Sequence, residues 1–127
     1  MALTIGMQHS IVYKVEPKDS AIKVGSGLVD VFATPAMLAL MEKTCSDCVK
    51  NDLEPGQVTV GMQVNLNHSG PSKIGSEVKC SCQLVNIDKR KLTFRVAFID
   101  NGRLVGLASH TRCIVDKEKF MSKLNAA

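Results

Sequence analysis

Aromatic residues are scarce in this sequence. They make up 4% of its 127 residues, and tryptophan is absent. Proteins that hold single-stranded nucleic acid stack the bases on aromatic side chains, so this chain has little material for such a surface. The net charge of +4 is spread along the chain, unlike the clustered charge of a DNA-binding protein. We therefore expect no nucleic-acid partner, while a small anionic ligand and ordinary solvation explain the mild basic charge equally well.

A long apolar run and a secretory signal are also missing. No segment approaches the roughly 20 apolar residues that cross a bilayer. The N-terminal stretch MALTIGMQHS lacks a charged segment followed by an apolar one. The five cysteines are odd in number and show no disulfide framework. These features predict a protein without membrane contact in the reducing cytoplasm.

The pattern of apolar residues predicts a single α+β domain over residues 1–127. A strand is expected at residues 9–16, with weaker extended character around residues 22–24. Four extended segments fill the second half, and the first carries one apolar row: Val58, Val60, Met62, Val64 and Leu66. The next two carry the rows Val78, Cys80, Cys82, Leu84 and Leu92, Phe94, Val96, Phe98. Short turn-like links between the last three segments favour hairpins, so we expect a four-stranded meander.

One long helix is predicted between the first strand and the other four. Thr34 suits the N-cap, Pro35 suits the first helical position, and the periodic segment extends to about Lys50. The helix is apolar on most of its faces, so something must wrap it. A curved antiparallel sheet around the helix satisfies this requirement.

Glu42 is the first candidate for chemistry, because it follows six apolar or small residues, 36–41, on this helix. None of its neighbours three and four positions away is a lysine or arginine. The charged stripe of the helix lies elsewhere, at Lys43, Asp47 and Lys50. Two interpretations remain open: a boundary residue that reaches water, or a partly desolvated carboxylate that acts as base or nucleophile.

Four weaker candidates accompany Glu42. His68 continues the parity of the first apolar row, which places it on the core side at a strand end, although such residues are often only structural. Thr34 is explained by N-capping, yet a hydroxyl at a helix N-terminus also suits a carbonyl oxygen or an oxyanion. Gly61 interrupts its strand, which indicates a bulge or a close backbone approach. Arg112 stands alone on its strand, and such an arginine is usually a surface residue.

The remaining histidines and the cysteines are weaker still. His9 and His110 are interpreted as structural or surface residues. The Cys45-x-x-Cys48 and Cys80-x-Cys82 spacings could form a four-sulfur zinc site. Their positions inside a helix and on an apolar strand face favour small buried hydrophobes instead. We expect no metal and no cofactor.

Three stretches resemble a known family: VFATPAMLALMEKTC, VTVGMQVNLNHSGPSKIG and LVGLASHTRCIV. In this order and spacing they are similar to hot-dog-fold thioesterases of the fluoroacetyl-CoA thioesterase type. The resemblance implies a long central helix wrapped by a curved antiparallel sheet of about five strands, hydrolysis of an acyl-CoA, and a homodimer. It also implies that Thr34, Glu42 and His68 are catalytic and that Gly61 and Arg112 contact the substrate.

Some questions stay open at this stage. The specialised fluoroacetyl enzyme is rich in phenylalanine before the helix, whereas this sequence reads VGSGLVDVFATP with Phe32 alone. This difference argues against recognition of fluoroacetate, and the sequence is more similar to thioesterases of unassigned substrate. Glu42 either attacks the thioester directly or activates water. The alternative function is a non-catalytic acyl-CoA-binding module, since fold alone does not fix function. The basic residues Lys73, Lys89, Arg90 and Lys91 are candidates for the coenzyme's phosphates or form a solvated face.

Overall fold

A computed structural model describes residues 2–127 of the chain. Its strands are β1 (Gln8–Lys14), β2 (Gln57–His68), β3 (Glu77–Asp88), β4 (Lys91–Asp100) and β5 (Arg103–Asp116). Its α-helices are α1 (Ala21–Val24), α2 (Thr34–Val49) and α3 (Lys117–Ala126), and single 3-10 turns cover Pro17–Asp19 and Lys50–Asp52. The strands form one antiparallel sheet in the order β1-β3-β4-β5-β2. The α+β arrangement of a long helix against a five-stranded antiparallel sheet is therefore confirmed.

The meander prediction is correct for three strands and wrong for β2. The turn between β4 and β5 uses Asn101 and Gly102, both with positive φ, which is the two-residue hairpin geometry that matches strand twist. Strand β2 instead pairs with β5 at the far side of the sheet, while β1 takes the free side of β3. The link of residues 69–76 between β2 and β3 makes this separation possible, because it is too long for a tight hairpin.

The core lies between α2 and the face of the sheet that packs against it. The predicted rows of β3 and β4 are confirmed, because all eight of their apolar side chains are buried. From α2 the buried residues are Met37, Leu40, Met41, Thr44, Cys45 and Val49. Burying side chains such as Phe94 and Phe98 contributes roughly 1.5–3 kcal/mol each, which fixes the helix on the sheet. The charged stripe of α2 faces outward as expected, with Asp47 paired to Lys43 and Lys50 at 3.1 and 3.3 Å.

The predicted single apolar face of β2 is wrong, because a β-bulge interrupts the strand. The pairing of β2 with β5 shifts between Gly61 and Gln63. Paired residues share a face of a sheet, so Val60, opposite Cys113, lies on one face, and Val64, opposite His110, lies on the other. An extra residue in a strand reverses the direction of every side chain beyond it. The predicted extended character at residues 22–24 is also wrong, because the segment is the short helix α1.

Other sequence-level expectations concern membranes and thiols. No helix in the described part of the chain is long and apolar enough to cross a membrane. Cys45, Cys80 and Cys82 are buried in the core, and all five cysteines are free thiols. Residues 2–127 contain no group of three or more His, Cys, Asp or Glu side chains arranged to hold a metal ion.

Candidate active site

Thr34 and His68 meet at the beginning of α2. Thr34 is the first residue of the helix, Ala33 is its N-cap, and no side chain caps it. The expected N-cap role of Thr34 is therefore wrong. Its hydroxyl instead shares a hydrogen bond with Nδ1 of His68, at 2.8 Å. The N-cap position falls one residue earlier because Pro35 fits the second helical position as well as the first.

His68 is held in an apolar setting that favours its neutral form. Its ring stands edge-on to Phe32, with 6.5 Å between ring centroids. Burial lowers the pKa of His68, while the backbone at Gly70 acts in the opposite direction. The Nε2 atom is buried and has no hydrogen-bond partner among residues 2–127. A neutral imidazole with one free nitrogen can exchange a proton with a bound molecule.

A cavity of about 280 Å³ opens beside this pair. Its wall includes Ala21, Phe32, Thr34, His68 and Pro71. The volume is close to the lower limit of typical ligand pockets. The free N–H groups of the first helical turn carry the positive end of the helix dipole, which suits a developing negative charge.

Glu42 belongs to a second cluster, farther along α2. Its Oε2 lies 3.5 Å from Nη1 of Arg112, and its side chain is 39% exposed. Arg112 is buried, so its expectation as a surface residue is wrong. Gly61 faces the same point, because a Cβ atom built on it would overlap the Glu42 carboxylate. Because Gly61 has no side chain, the Glu42 carboxylate can lie beside the bulge.

Buried hydrogen bonds fix the Arg112 guanidinium. Its Nε and Nη2 donate to the hydroxyl and the carbonyl oxygen of Thr59, at 2.8 and 3.0 Å. Its Nη1 donates to Nε2 of His110 at 3.1 Å, and Nδ1 of His110 donates to the carbonyl oxygen of Gln63 at 2.8 Å. Burial lowers the pKa of Arg112, and the charge of Glu42 opposes this shift. Arginine keeps its charge under such conditions, so a fixed cation faces Glu42.

Sequence reasoning missed the connection between His110 and the site. It is fully buried, and its two hydrogen bonds require the neutral tautomer with the proton on Nδ1, because arginine only donates and a carbonyl only accepts. Burial lowers the pKa of His110 and the nearby Arg112 charge acts in the same direction, while the hydrogen bond to Gln63 and the Glu42 charge oppose this shift. The signal available in the sequence was the shared parity of His110 and Arg112 on one strand.

The five predicted site residues therefore form two groups in one chain. Thr34 lies with His68, and Glu42 lies with Gly61 and Arg112. Thr34 and Glu42 are eight positions apart on one helix, which is about 12 Å along its axis. Within residues 2–127, the fold does not bring the three side chains predicted to be catalytic into mutual contact.

Comparison with known proteins identifies the family. The model of the FlK family, described as fluoroacetyl-CoA-specific thioesterase, matches residues 15–118. The fluoroacetyl-CoA thioesterase of Streptantibioticus cattleyicolor is 32% identical over 95 residues, which cover 75% of this chain and 68% of that protein. The chain belongs to the fluoroacetyl-CoA-specific thioesterase family. The expectation of a thioester hydrolase is thereby confirmed.

Solved structures agree with this assignment. The chain of this thioesterase superposes on a fluoroacetyl-CoA thioesterase with a TM-score of 0.94 and 25% identity, covering 99% of this chain and 98% of the other. A phenylalanine-to-alanine mutant of that enzyme, in complex with fluoroacetate and CoA, gives a TM-score of 0.88 at 26% identity, covering 93% and 99%. A Thermus thermophilus thioesterase superfamily member shares the fold, with a TM-score of 0.90 at 20% identity, covering 97% and 91%. The hot-dog fold is thus confirmed.

Proposed function

We propose that this thioesterase hydrolyses acyl-CoA thioesters at a site built from Thr34, Glu42 and His68. The observation that carries the proposal is the Thr34–His68 hydrogen bond of 2.8 Å at the wall of the cavity, with Nε2 of His68 unpartnered among residues 2–127. The comparisons give the reaction class, and this geometry supports an assignment of roles. The thioester carbonyl would lie at the start of α2, where free N–H groups hold the developing oxyanion.

Hydrolysis follows one of two routes from this arrangement. In the first, the Glu42 carboxylate takes a proton from water, and the hydroxide attacks the carbonyl carbon. The tetrahedral intermediate then breaks its C–S bond, the acid leaves, and the CoA thiolate receives the proton. In the second, Glu42 itself attacks and expels the CoA thiolate, and water hydrolyses the resulting anhydride. His68 carries protons in both routes, and Thr34 orients His68.

Arg112 and His110 would hold Glu42 ready for either route. The guanidinium contacts one carboxylate oxygen, and the carboxylate is still 39% exposed to a reacting molecule. His110, locked in one tautomer, keeps the guanidinium in place. Fixed charges and dipoles cost no rearrangement during the reaction, which is why such support favours catalysis.

The separation of the two groups supports a homodimer with shared sites. Strand β2 ends the sheet, so one side of its backbone is unpaired among residues 2–127, and the strand exposes Val58, Met62 and Val64. Antiparallel pairing of two β2 strands, centred between Val64 and Asn65, would place Gly61 opposite His68 of the partner subunit. Each site would then combine Glu42 from one chain with the Thr34–His68 pair of the other.

The cavity volume supports a short acyl group as the substrate. About 280 Å³ is enough for a few carbon atoms beside the thioester, and a long chain would have to leave the cavity. Phe32 is buried and packs edge-on against His68, so it forms the wall of the cavity. We expect kcat/KM to fall as the acyl chain lengthens.

Thiol release from a panel of short, branched, aromatic and long acyl-CoAs tests the proposal. The wild type and Glu42→Gln are compared, because glutamine keeps the shape and removes the charge. We expect a loss of kcat of about a hundredfold or more in the variant, or ~3 kcal/mol of barrier. Acyl-CoA binding without turnover in the wild type would favour the non-catalytic binding module instead. Mass spectrometry of a rapidly quenched reaction tests for an acyl group on Glu42, which separates the two routes.

A further inference from the structure

A buried aspartate lies close to the Thr34–His68 pair without contacting the cavity. Asp19 ends the 3-10 turn of residues 17–19 and is only 7% exposed. A charged carboxylate in such a position is costly unless hydrogen bonds replace the water that it loses. Neither Asp19 nor its partner Tyr13 lines the cavity of about 280 Å³. Their role must therefore be sought in what they hold in place.

Two hydrogen bonds meet at one oxygen of the Asp19 carboxylate. Its Oδ2 accepts from the Tyr13 hydroxyl at 2.5 Å and from the backbone N–H of Glu16 at 2.8 Å. Lys18 donates to Oδ1 at 3.2 Å, but its side chain is exposed, and exposed ion pairs contribute little. Burial alone would raise the pKa of Asp19, yet these three hydrogen bonds outweigh burial and lower it. Asp19 is thus a charged acceptor that ties β1 to the loop after it.

The backbone of Asp19 reaches the beginning of α2. Its carbonyl oxygen accepts the N–H of Ala33 at 2.8 Å, and Ala33 is the N-cap directly before Thr34. The neighbours of these two residues, Ser20 and Phe32, form an isolated β-bridge. The two backbone segments therefore move together. The place of Thr34, and of the free N–H groups in the first helical turn, is set from the Asp19 side.

The ring of Tyr13 reaches the other half of the pair. It stacks on Phe32 with 6.3 Å between ring centroids, and Phe32 stands edge-on to His68. Phe32 is buried, so it has little room to shift between its two neighbours. Contacts of both geometries between aromatic rings are favourable. Tyr13 leads to His68 through this ring, Asp19 leads to Thr34 through the backbone, and the two are bound to each other.

We propose that Tyr13 and Asp19 are positioning residues for thioester hydrolysis, which hold the start of α2 and the His68 ring at the separation that the Thr34–His68 hydrogen bond requires. This inference rests on the proposed function, because it serves the site assigned there. A displacement of about 1 Å in a reacting group can cost about a hundredfold in rate, even when its cause lies outside the site. A contact that only stabilises the fold would instead lower stability and leave kcat of the folded enzyme unchanged.

Three substitutions test this positioning. Tyr13→Phe keeps the ring on Phe32 and removes the hydroxyl, and we expect kcat to fall about tenfold with KM unchanged, because Tyr13 does not line the cavity. Asp19→Ala should lose as much. Asp19→Asn should keep most of the activity, since one amide oxygen can accept both hydrogen bonds. The matched control is Ser81→Ala, which removes a hydroxyl bonded to Ser10 at 2.9 Å on the opposite face of β1 and should keep the wild-type kcat.

A Thr34→Val background separates positioning from stability. If Tyr13 acts through the Thr34–His68 hydrogen bond, adding Tyr13→Phe to Thr34→Val should lower kcat by no more than a further factor of about two. A second full tenfold loss in this background overturns the proposal. Wild-type kcat in Tyr13→Phe alone also overturns it.

An NMR titration of the His68 ring needs no turnover. In Asp19→Ala we expect the pKa of His68 to rise by about 0.5 or more towards its ordinary value, because the ring loses its fixed, buried setting. Ser81→Ala should leave this pKa unchanged. Should the wild type hydrolyse no thioester, the proposed function fails and the titration still decides the positioning. An unchanged pKa of His68 in folded Asp19→Ala overturns the proposal.

Discussion

Nη1 of Arg112 lies 3.5 Å from Oε2 of Glu42, and this contact joins the last strand of the sheet to the central helix. The guanidinium is buried and its other donors are bound to Thr59 and His110. The carboxylate is the more exposed partner. The position of Glu42 therefore depends on Arg112 more than the position of Arg112 depends on Glu42. This asymmetry leads to the first two predictions.

Replacing Arg112 by lysine should lower activity although the charge is kept. A lysine ammonium cannot reach Thr59, His110 and Glu42 together, because it lacks the planar fork of arginine. We expect kcat to fall about tenfold or more, with a loss of roughly 1–3 kcal/mol in the free energy of unfolding. Arg95→Lys, on the exposed side of β4, is the matched control and should change neither quantity. A wild-type kcat in Arg112→Lys would contradict a role for Arg112 in supporting catalysis.

Gly61→Ala should disturb the carboxylate and leave the fold intact. The added methyl group would overlap Glu42, whose flexible end can move aside, and its other neighbours, Arg112 Nη1 and His110 Cε1, are 3.4 Å away. We expect kcat to fall about tenfold, or ~1.4 kcal/mol of barrier. The melting temperature should stay within a few degrees of the wild type. Lys79→Ala, at an exposed position of β3, is the control, and equal activity in both variants would argue against the assigned position of Glu42.

Mixed dimers test whether two chains share each site. Glu42→Ala and His68→Ala are each expected to be inactive alone. After the two are unfolded and refolded together in equal amounts, a shared site predicts recovery of about a quarter of the wild-type activity, because half of the dimers are mixed and each has one intact site. Sites contained within single chains predict no recovery. Light scattering on the refolded sample confirms that dimers are present.

The hydrogen bond between Thr34 and His68 should be measurable as a coupling energy. Thr34→Val keeps the shape and removes the hydroxyl, and His68→Gln removes the ring. Unfolding in urea of both single variants and the double variant gives the interaction, which we expect to be roughly 0.5–1.5 kcal/mol. Thr34→Ser should retain most of it. Full additivity of the two single changes would mean that the contact is absent in solution.

Stability should fall as the solution is acidified below about pH 6.5. Burial lowers the pKa values of His68 and His110 in the folded chain. Above the unfolded pKa both states are neutral and nothing is lost. Below the unfolded pKa, the histidines of the unfolded chain become protonated while those of the folded chain stay neutral. The free energy of unfolding therefore decreases with falling pH until the pH passes the lowered pKa values of the folded chain. Urea midpoints from pH 8 to pH 5 should show this slope, and His110→Gln should reduce it; an unchanged slope would mean that His110 does not contribute.

The regular strands could be predicted from the sequence, while the site depended on contacts between distant segments. The alternation of apolar and polar residues was enough to predict β3 and β4. Each of these strands lies between two other strands, and the apolar row of each is buried. It failed for β2 because a bulge leaves no mark in the pattern of apolar residues beyond a glycine. The inward direction of His68 was still predicted correctly, since its own half of β2, with Val64 and Leu66, keeps one parity.

The contacts of Glu42 show a second limit of prediction from the sequence. Its helical neighbours include no cation, and the cation that it contacts comes from residue 112, on β5. Nothing local distinguishes a buried strand arginine from an exposed one. The residue pattern alone therefore gives neither Arg112 nor His110 a role, and only the family resemblance points to Arg112. Their burial follows from the sheet order, which sequence spacing did not reveal.

The position of β5 between β4 and β2 has a consequence for synthesis of the chain. Strand β2 pairs with β5 and with no other strand among residues 2–127. While the ribosome is still making residues before 103, β2 has no neighbour in the sheet and Glu42 has no cation. Thr34, Glu42 and His68 are all translated by then, yet the surfaces that hold them do not exist. The proposed active site would therefore be completed late, and we expect a chain interrupted before β5 to expose β2 and to be inactive.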